Sequence, residues 1–566
     1  MKFVCFFAAF LCANTCFAQE YKLRVVADTN IQKILPKNAL TNNFVADSTA
    51  CIQKINELVQ TFQAQGYLSA GVDTIFLEKK TLVAKLFLGK KYHWHKINLA
   101  NLDAKLIAAT NIRLFFENNA INSQNYQKIC TKILAYCATT GYPFATVGLQ
   151  NLNIKNDSIS GSLVLDKRIK ITLDSIRISG STKVSRQYLE KYLSLPTNQP
   201  YNTAAVANIE RRLANLPFLR SVQPPKTYFY NDRATIYIFV KDIPINQADG
   251  IIGVFPNAQN SNKLLVTGDV TLSLQNSFRH GELLSMAWKR LDANVAELKL
   301  KGNYPFLAGL PLGIEGEFRQ FRRDTSQFEL NQRYGVQFFF DGSNFVKAYW
   351  QKKDFTLNNG AFLASDSNRI ASSLGSLYGV EWRIQRLNRV QNPTRGYSLS
   401  GSVGLGSKKT RTLAPLAPNL TTKQTQIELQ ASVYLPLSKR WVLATMLQAQ
   451  GNFNTQIFEN ELFRLGGFKT LKGFEEESLR ASRYLALNIE PRFLLEQNAY
   501  LFGFFNAAYL ENQYTRTRTK PLGFGVGMNF AAKNGIFSIA YALGKNSGAP
   551  LLVRSSKIHF GYKYFL

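Results

Sequence analysis

The stretch Lys557-Ile558-His559-Phe560-Gly561-Tyr562-Lys563-Tyr564-Phe565-Leu566 decides how the chain is read. Ile558, Phe560, Tyr562, Tyr564 and Leu566 fall on every second position, with His559, Gly561 and Lys563 between them. Successive side chains of a β-strand point to opposite faces, so a period of two means a strand with one apolar, aromatic face and one polar face. The pattern recurs upstream. Ala296, Leu298, Leu300, Gly302 and Tyr304 alternate with Glu297, Lys299, Lys301 and Asn303. Ile427, Leu429, Ala431, Val433 and Leu435 alternate with Glu428, Gln430, Ser432 and Tyr434, and Leu485, Leu487 and Ile489 with Tyr484, Ala486, Asn488 and Glu490. Such strands build either a soluble sandwich, apolar face inward, or a membrane barrel, apolar face outward to lipid and polar face to the lumen.

Two features choose the barrel. The aromatic strand 557–566 carries a hydrophobic last residue and resembles the C-terminal signal of outer-membrane barrels. Leu435-Pro436-Leu437-Ser438-Lys439-Arg440 reads as a short turn between long strands, whereas 406–423 reads as a long polar connection. Short turns at one rim and long loops at the other are the barrel habit. Period-two texture runs from about residue 246 to 566. At roughly 20 residues per strand and connection it supplies about sixteen antiparallel strands.

Before residue 246 the period is helical and the chain repeats. Ile52, Ile55, Val59 and Phe62 precede Gly66-Tyr67; Tyr126, Ile129, Ile133 and Cys137 precede Gly141-Tyr142; Val206, Ile209, Leu213 and Leu216 precede Pro217-Phe218. Steps of three and four place each set on one helix face. The exits Gly66 and Gly141 are 75 residues apart, the signature of a repeated module. Strand-like runs follow each helix, and the order strand, helix, helix, strand, strand closes a small α+β core. The expected boundaries are 20–91, 92–169 and 170–245 for three modules and 246–566 for the barrel. Residues 1–18 read as a secretory signal: Lys2, an apolar run from Phe3 to Ala13, and a small-residue exit at Ala18. Cys5, Cys12 and Cys16 leave with it. Cys51, Cys130 and Cys137 remain, an odd number set in helical patterns, so buried thiols are expected rather than bridges.

Composition narrows the chemistry. With 46% hydrophobic and 13% aromatic residues the chain has ample material to bury, which excludes disorder. Beyond the N-terminus no apolar run reaches the roughly 20 residues of a spanning helix. The four histidines are His93, His95, His280 and His559. His93 and His95 share a strand face, but a metal centre needs three or four ligands and no acid or cysteine cluster stands beside them. No strand-turn-helix nucleophile motif is present. Gly523, Gly525 and Gly527 lie on one strand face and read as wall thinning, not a phosphate cradle. Glu475-Glu476-Glu477 reads as a solvated run. No catalytic residue, metal site or cofactor is expected. The formal charge of +31 fits anionic lipid head groups, lipopolysaccharide or a lumen lining; export and the barrel pattern argue against nucleic acid.

The order of several motifs then carries a resemblance. Leu465-Gly466-Gly467, Leu471-Lys472-Gly473-Phe474, the strand from Tyr484 to Phe493, the aromatic run Tyr500 to Asn506, and Asn392-Pro393-Thr394-Arg395-Gly396 together resemble the BamA/TamA superfamily of outer-membrane assembly and translocation barrels. The modules resemble its periplasmic POTRA domains, and three before a barrel are more similar to the TamA branch than to the five-module BamA arrangement. In the family the loop bearing the Leu471–Phe474 motif folds back into the lumen, and an Arg there meets an acid on a nearby strand. This chain has Lys472 at the Arg position and Asn506 where the acid falls. A Lys–Asn hydrogen bond is weaker than a charged pair, and Glu490 is the alternative anchor.

The resemblance implies an outer-membrane location, periplasmic modules, and no covalent catalysis. The implied partners are unfolded or extended client proteins, accessory periplasm-spanning or lipoprotein partners, and the surrounding lipid and lipopolysaccharide. Clients are expected to add to a module edge by β-augmentation and to enter at the seam between a first strand near residues 250–255, with Ile252 and Gly253, and a last strand with Phe560, Gly561 and Leu566. The alternative is a dedicated secretion pore or passive channel of the same architecture.

Overall fold

The computed structural model describes residues 21–26, 43–45, 48–79, 81–116, 119–256, 264–290, 295–323, 327–357, 371–411, 420–532, 535–548 and 556–564. The signal segment 1–18 and Leu566 lie outside them. The chain forms two compact units, one of residues up to Ile171 with Pro200–Thr203, the other of Thr172–Gln199 and Ala204 onward.

The first unit holds two small sheets. β1 (Tyr21–Val26), β2 (Asn43–Val45), β3 (Gly71–Glu78) and β4 (Thr81–Phe87) pair in the order β2-β1-β4-β3, with α1 (Ser48–Ala64) inserted between β2 and β3. The buried stripe of α1 is Cys51, Ile55 and Phe62, with Leu58 packed against it. Ile52, expected inside, is 45% exposed. Positions 51, 55, 58 and 62 keep the four-three-four step, so the small apolar Cys51 turns the stripe by one residue. The second sheet takes β5 (His93–Asn98), β6 (Thr146–Lys155) and β7 (Ser158–Asp166) in the order β5-β7-β6, with α2 (Ala104–Thr110), α3 (Ile112–Phe116) and α4 (Ser123–Thr139) between β5 and β6. Trp94, Leu106, Ile112, Ile133, Cys137 and Leu163 fill its core. The Asn122 side chain accepts a hydrogen bond from the Asn125 N–H at 3.1 Å and caps α4. The repeated Gly-Tyr exits have a backbone cause. Gly66 and Gly141 hold φ +103° and +100°. Tyr67 N–H donates to Phe62 O at 3.1 Å and Tyr142 N–H to Cys137 O at 2.9 Å, the left-handed helix stop that glycine permits.

The second unit begins with β8 (Thr172–Ser179), α5 (Arg186–Tyr192), α6 (Thr203–Ala207), α7 (Ile209–Leu213), β9 (Leu219–Tyr230) and β10 (Arg233–Asp242), its sheet ordered β8-β10-β9. The helix read as one run breaks at Asn208. The barrel strands follow: β11 (Gln247–Pro256), β12 (Leu264–Gln275), β13 (Leu283–Arg290), β14 (Val295–Tyr304), β15 (Leu312–Arg323), β16 (Gln327–Asp341), β17 (Asn344–Leu357), β18 (Ser372–Leu387), β19 (Gly396–Arg411), β20 (Leu420–Pro436) and β21 (Trp441–Phe453). A loop with the short ribbon β22 (Phe463–Leu465) and β23 (Leu479–Ala481) intervenes. Then come β24 (Arg483–Glu496), β25 (Ala499–Asn512), β26 (Thr517–Thr519), β27 (Leu522–Ala532), β28 (Gly535–Lys545) and β29 (Lys557–Tyr564). From β11 to β21 each strand pairs antiparallel with the next, β21 pairs with β24 across the loop, and β24 with β25, β27 with β28 and β28 with β29 follow, all antiparallel. β26 and β27 both pair with β25 and form one strand interrupted at Lys520-Pro521, where proline has no N–H to give. Sixteen barrel strands result among the described residues.

The apolar face points out. Leu300, Ile427, Val433 and Leu485 are 41%, 40%, 41% and 46% exposed. On the opposite face Lys347 is buried, its Nζ 2.5 Å from Glu315 and 2.7 Å from Glu381. An apolar surface outside and paired charges inside is the solution a bilayer demands and water does not. The connection expected over 406–423 is corrected: residues 406–411 continue β19 and 420–423 belong to β20, paired from Gly406↔Gln424 to Thr410↔Leu420. Polar strand ends keep their ladder because hydrogen bonding does not depend on which side chains face out.

The third module packs on the turns at one barrel rim. Ser185 N–H donates to Arg279 O at 2.9 Å, and the Asn215 side-chain amide to Leu387 O at 3.2 Å. Arg212 pairs with Asp341. The Tyr188 ring lies 5.7 Å from Phe306, edge to face, and covers Gly281. Burial pushes the Tyr188 phenol well above its ordinary range.

Candidate functional site: the luminal loop and the seam

The loop between β21 and β24 is tied at its base and its tip. Near the base, the Lys408 Nζ of β19, 2% exposed, donates to Glu461 at 2.8 Å and to the Gln456 carbonyl at 2.5 Å. Within the loop Arg480 pairs with Glu459, and Arg464 lies 3.2 Å from Glu477. The middle is apolar: Leu471 and Leu465 are buried with Ala486 of β24 and Ala508 and Leu510 of β25, and Phe474 packs against them.

At the tip, the Lys472 Nζ lies 2.9 Å from Glu490 Oε1, with both side chains under a tenth exposed. The ammonium also sits 5.5 Å from the Phe468 ring and 5.2 Å from Phe504, a desolvated setting in which cation–π attraction is strongest. Glu490 further accepts from Arg492 at 2.7 Å and Asn488 at 2.8 Å. Of the two candidate anchors, Glu490 holds Lys472 and Asn506 does not. Asn506 is 1% exposed, and neither its Oδ1 nor its Nδ2 has a hydrogen-bond partner among the described residues. A buried ammonium needs a full opposing charge, which an amide cannot supply.

The glycines of β27 have a use beyond thinning the wall. A Cβ on Gly523 would overlap the Lys472 carbonyl, and at Gly525 and Gly527 it would strike the Phe504 and Phe502 rings. The stripe opens space for the loop and for the aromatic row of β25. Gly473, at φ +95°, approaches Leu543 and Gly544 of β28 and donates its N–H to His559 Nε2 of β29 at 3.3 Å. Glu475 reaches Lys557 of β29 at 2.8 Å. The acidic run is thus an attachment to the last strand at Glu475 and to the loop itself at Glu477.

At the sheet ends, β11 pairs with β12, placing Ile252 opposite Gly268 and Gly253 opposite Thr267. β29 pairs with β28, placing Phe560 opposite Ile539 and Gly561 opposite Ser538. Ile252 and Phe560 are 64% and 75% exposed. Among the described residues no pairing joins β11 to β29. His559, Lys557, Arg492 and Lys408 were missed by sequence reasoning. For His559, Lys557 and Arg492 the only sequence signal is a polar-face position on an alternating strand, which many residues share; Lys408 falls in the stretch read as a connection. Among the described residues no group of three or more His, Cys, Asp or Glu could hold a metal.

The family model described as the Omp85 superfamily domain matches residues 269–562, just over half of the chain. The chain belongs to the Omp85 superfamily. A second model, the POTRA surface antigen variable number repeat, matches residues 171–242, the third module. Among solved structures, CdiB from Escherichia coli is 10% identical with a TM-score of 0.52, covering 90% of this chain and 96% of that one; this likeness concerns the fold. CdiB from Acinetobacter baumannii is 14% identical (TM-score 0.49, 90% and 96% covered). BamA from Haemophilus ducreyi lacking POTRA domains 1–3 is 16% identical (TM-score 0.42, 83% and 99% covered). No curated protein sequence matches the chain. As an Omp85 protein, the chain is an outer-membrane barrel with POTRA modules in the periplasm.

Proposed function

We propose that this Omp85 barrel receives extended client polypeptides on the edges of its periplasmic modules and inserts or translocates them at the seam between β11 and β29, without covalent chemistry. A strand entering lipid must have its backbone groups paired, and an edge with free N–H and C=O groups is a template for it. The observation that carries the reading is the seam itself: β11 and β29 each pair on one side only among the described residues. Gly253 and Gly561 lie on these two edge strands, and a glycine weakens strand pairing. The loop contacts β29 through Gly473 and Glu475, so client entry and loop position are mechanically linked.

The test is a disulfide lock from Ile252→Cys to a facing cysteine in β29, with barrel folding followed by heat-modifiable migration. Loss of client handling in a folded, locked barrel, restored by reductant, is expected. Full activity of the locked protein would sink lateral entry and favour a lumen-only channel.

A further inference from the structure

We infer that the outer wall of strands β17 to β20 binds a phosphorylated outer-leaflet lipid, with Lys352, Lys409 and Lys423 at its head group. The argument rests on register. Lys347 and Lys353 of β17 point into the lumen, where Lys347 meets Glu315 and Lys353 meets Gln426; Lys352, between Gln351 and Lys353, therefore points out. Lys408 of β19 is held by the loop, so Lys409 points out. Gln424 of β20 is buried and bonded to Asn452, so Lys423 points out.

Rows of directly opposed outward residues cross these four strands. One row reads Trp350, Tyr378, Leu405, Thr425, and the next reads Lys352, Ser376, Ser407, Lys423. The wall therefore changes from aromatic and apolar to cationic within one step. Tyr378 and Leu405 are 67% and 58% exposed, and Trp350 Nε1 donates to Ser376 Oγ at 3.0 Å, tying the aromatic row to the polar one. Tyr397, 41% exposed, marks the other end of β19. Eight residues separate Tyr397 from Leu405. At about 3.4 Å per residue and a tilt of about 40° this is about 20 Å of height, close to the apolar band of an outer-membrane barrel at about 25 Å. The lysine row thus stands at head-group level. It lies on the rim opposite the turns that hold the third module, hence in the outer leaflet.

Lys409 and Lys423 are diagonal neighbours on adjacent strands (Ser407↔Lys423, Lys409↔Thr421), about 7–8 Å apart. Lys352 lies in the same row as Lys423, three strands away, about 14 Å at about 4.8 Å per strand, and two strands from Lys409. Among the described residues none of the three ammonium groups has an ion-pair or hydrogen-bond partner. Asp354, the carboxylate in the next outward row, leaves an excess of two positive charges. A lysine pair and a separate third lysine above an apolar, aromatic wall fit a head group with two phosphates and several acyl chains; a free phosphate would gain nothing from the wall.

The test uses the full chain in zwitterionic bilayer discs. A bis-phosphorylated acyl glycolipid, or the same glycolipid stripped of phosphate, is titrated in, and bound lipid is counted by native mass spectrometry. The phosphorylated form should bind at least tenfold tighter. The triple variant Lys352→Gln, Lys409→Gln, Lys423→Gln should lose that preference by about tenfold to a hundredfold, and Lys439→Gln at the opposite rim should keep it. Equal binding of both glycolipids by the wild-type protein, or an unchanged preference in the folded triple variant, overturns the site. If the triple variant fails to fold, the wild-type comparison of the two glycolipids decides.

Discussion

Lys472 on the luminal loop and Glu490 on β24 form a buried ion pair, Nζ to Oε1 2.9 Å, where the tip of the loop meets the barrel wall. Arg492 grips the same carboxylate at 2.7 Å, so Glu490 stays paired if Lys472 is lost. Lys472→Met keeps the chain between Phe468 and Phe504 but removes the charge. It should destabilise loop docking by about 1–3 kcal/mol, below the roughly 3–5 kcal/mol typical of a buried pair broken to leave a lone charge. Glu490→Gln strands two cations and should cost more. Urea unfolding in detergent with a probe on the loop measures the order of the two effects; equal or reversed costs would contradict this account of the anchor.

Gly523 should be sensitive and Gly503 tolerant. A Cβ at Gly523 overlaps the Lys472 carbonyl, while one at Gly503 meets its nearest neighbour at 3.8 Å. Gly523→Ala is therefore expected to raise trypsin cleavage at Lys469 several-fold, and Gly503→Ala to leave it unchanged. Identical cleavage in both would mean that the loop does not rest on β27.

The third module should detach when its aromatic seat is filled. Gly281 holds φ +75° and lies under the Tyr188 ring, so Gly281→Leu adds backbone strain and a clash at one point. Protease cleavage between β10 and β11 is expected to accelerate, with heat-modifiable barrel migration retained. Arg212→Ala, which removes the pair to Asp341, should do the same more weakly. Unchanged cleavage in the Gly281 variant would show that the module is held elsewhere.

The helix faces of the first unit give a further contrast. Ile133 is fully buried and Ile52 is 45% exposed. Ile133→Ala should cost about 2–4 kcal/mol, and Ile52→Ala within about 0.5 kcal/mol. Hydrogen exchange of α1 and α4 in the full chain reads both. A large cost at Ile52 would restore the helix face that the sequence spacing suggested.

Periodicity made much of this protein legible in advance. Strand alternation in 296–304, 427–435 and 485–489 needs only the local geometry of a pleated chain, and the three- and four-residue steps of the modules need only that of a helix. The Gly66 and Gly141 exits are equally local, because a left-handed stop is a property of one residue and its neighbours. The motif around Lys472 marked the loop before its contacts were known.

Which way the alternating strands face, and what each polar position meets, was not local. Lys352 and Lys353 are adjacent and chemically identical, yet one faces the bilayer and the other the lumen; only the register of β17 against its neighbours separates them. Asn506, where the resemblance puts the acid, and Glu490, its alternative, were the candidates along the chain. The fold chose the carboxylate, since desolvating an ammonium demands a full opposing charge. His559 and Lys557 gained their roles because loop closure brought Gly473 and Glu475, more than 80 residues earlier, against the last strand. Sequence determined the elements, their period and the module repeat, because these follow from the backbone geometry of neighbouring residues. Tertiary structure decided partners and facing, because those depend on charges and surfaces that meet only after distant segments have paired.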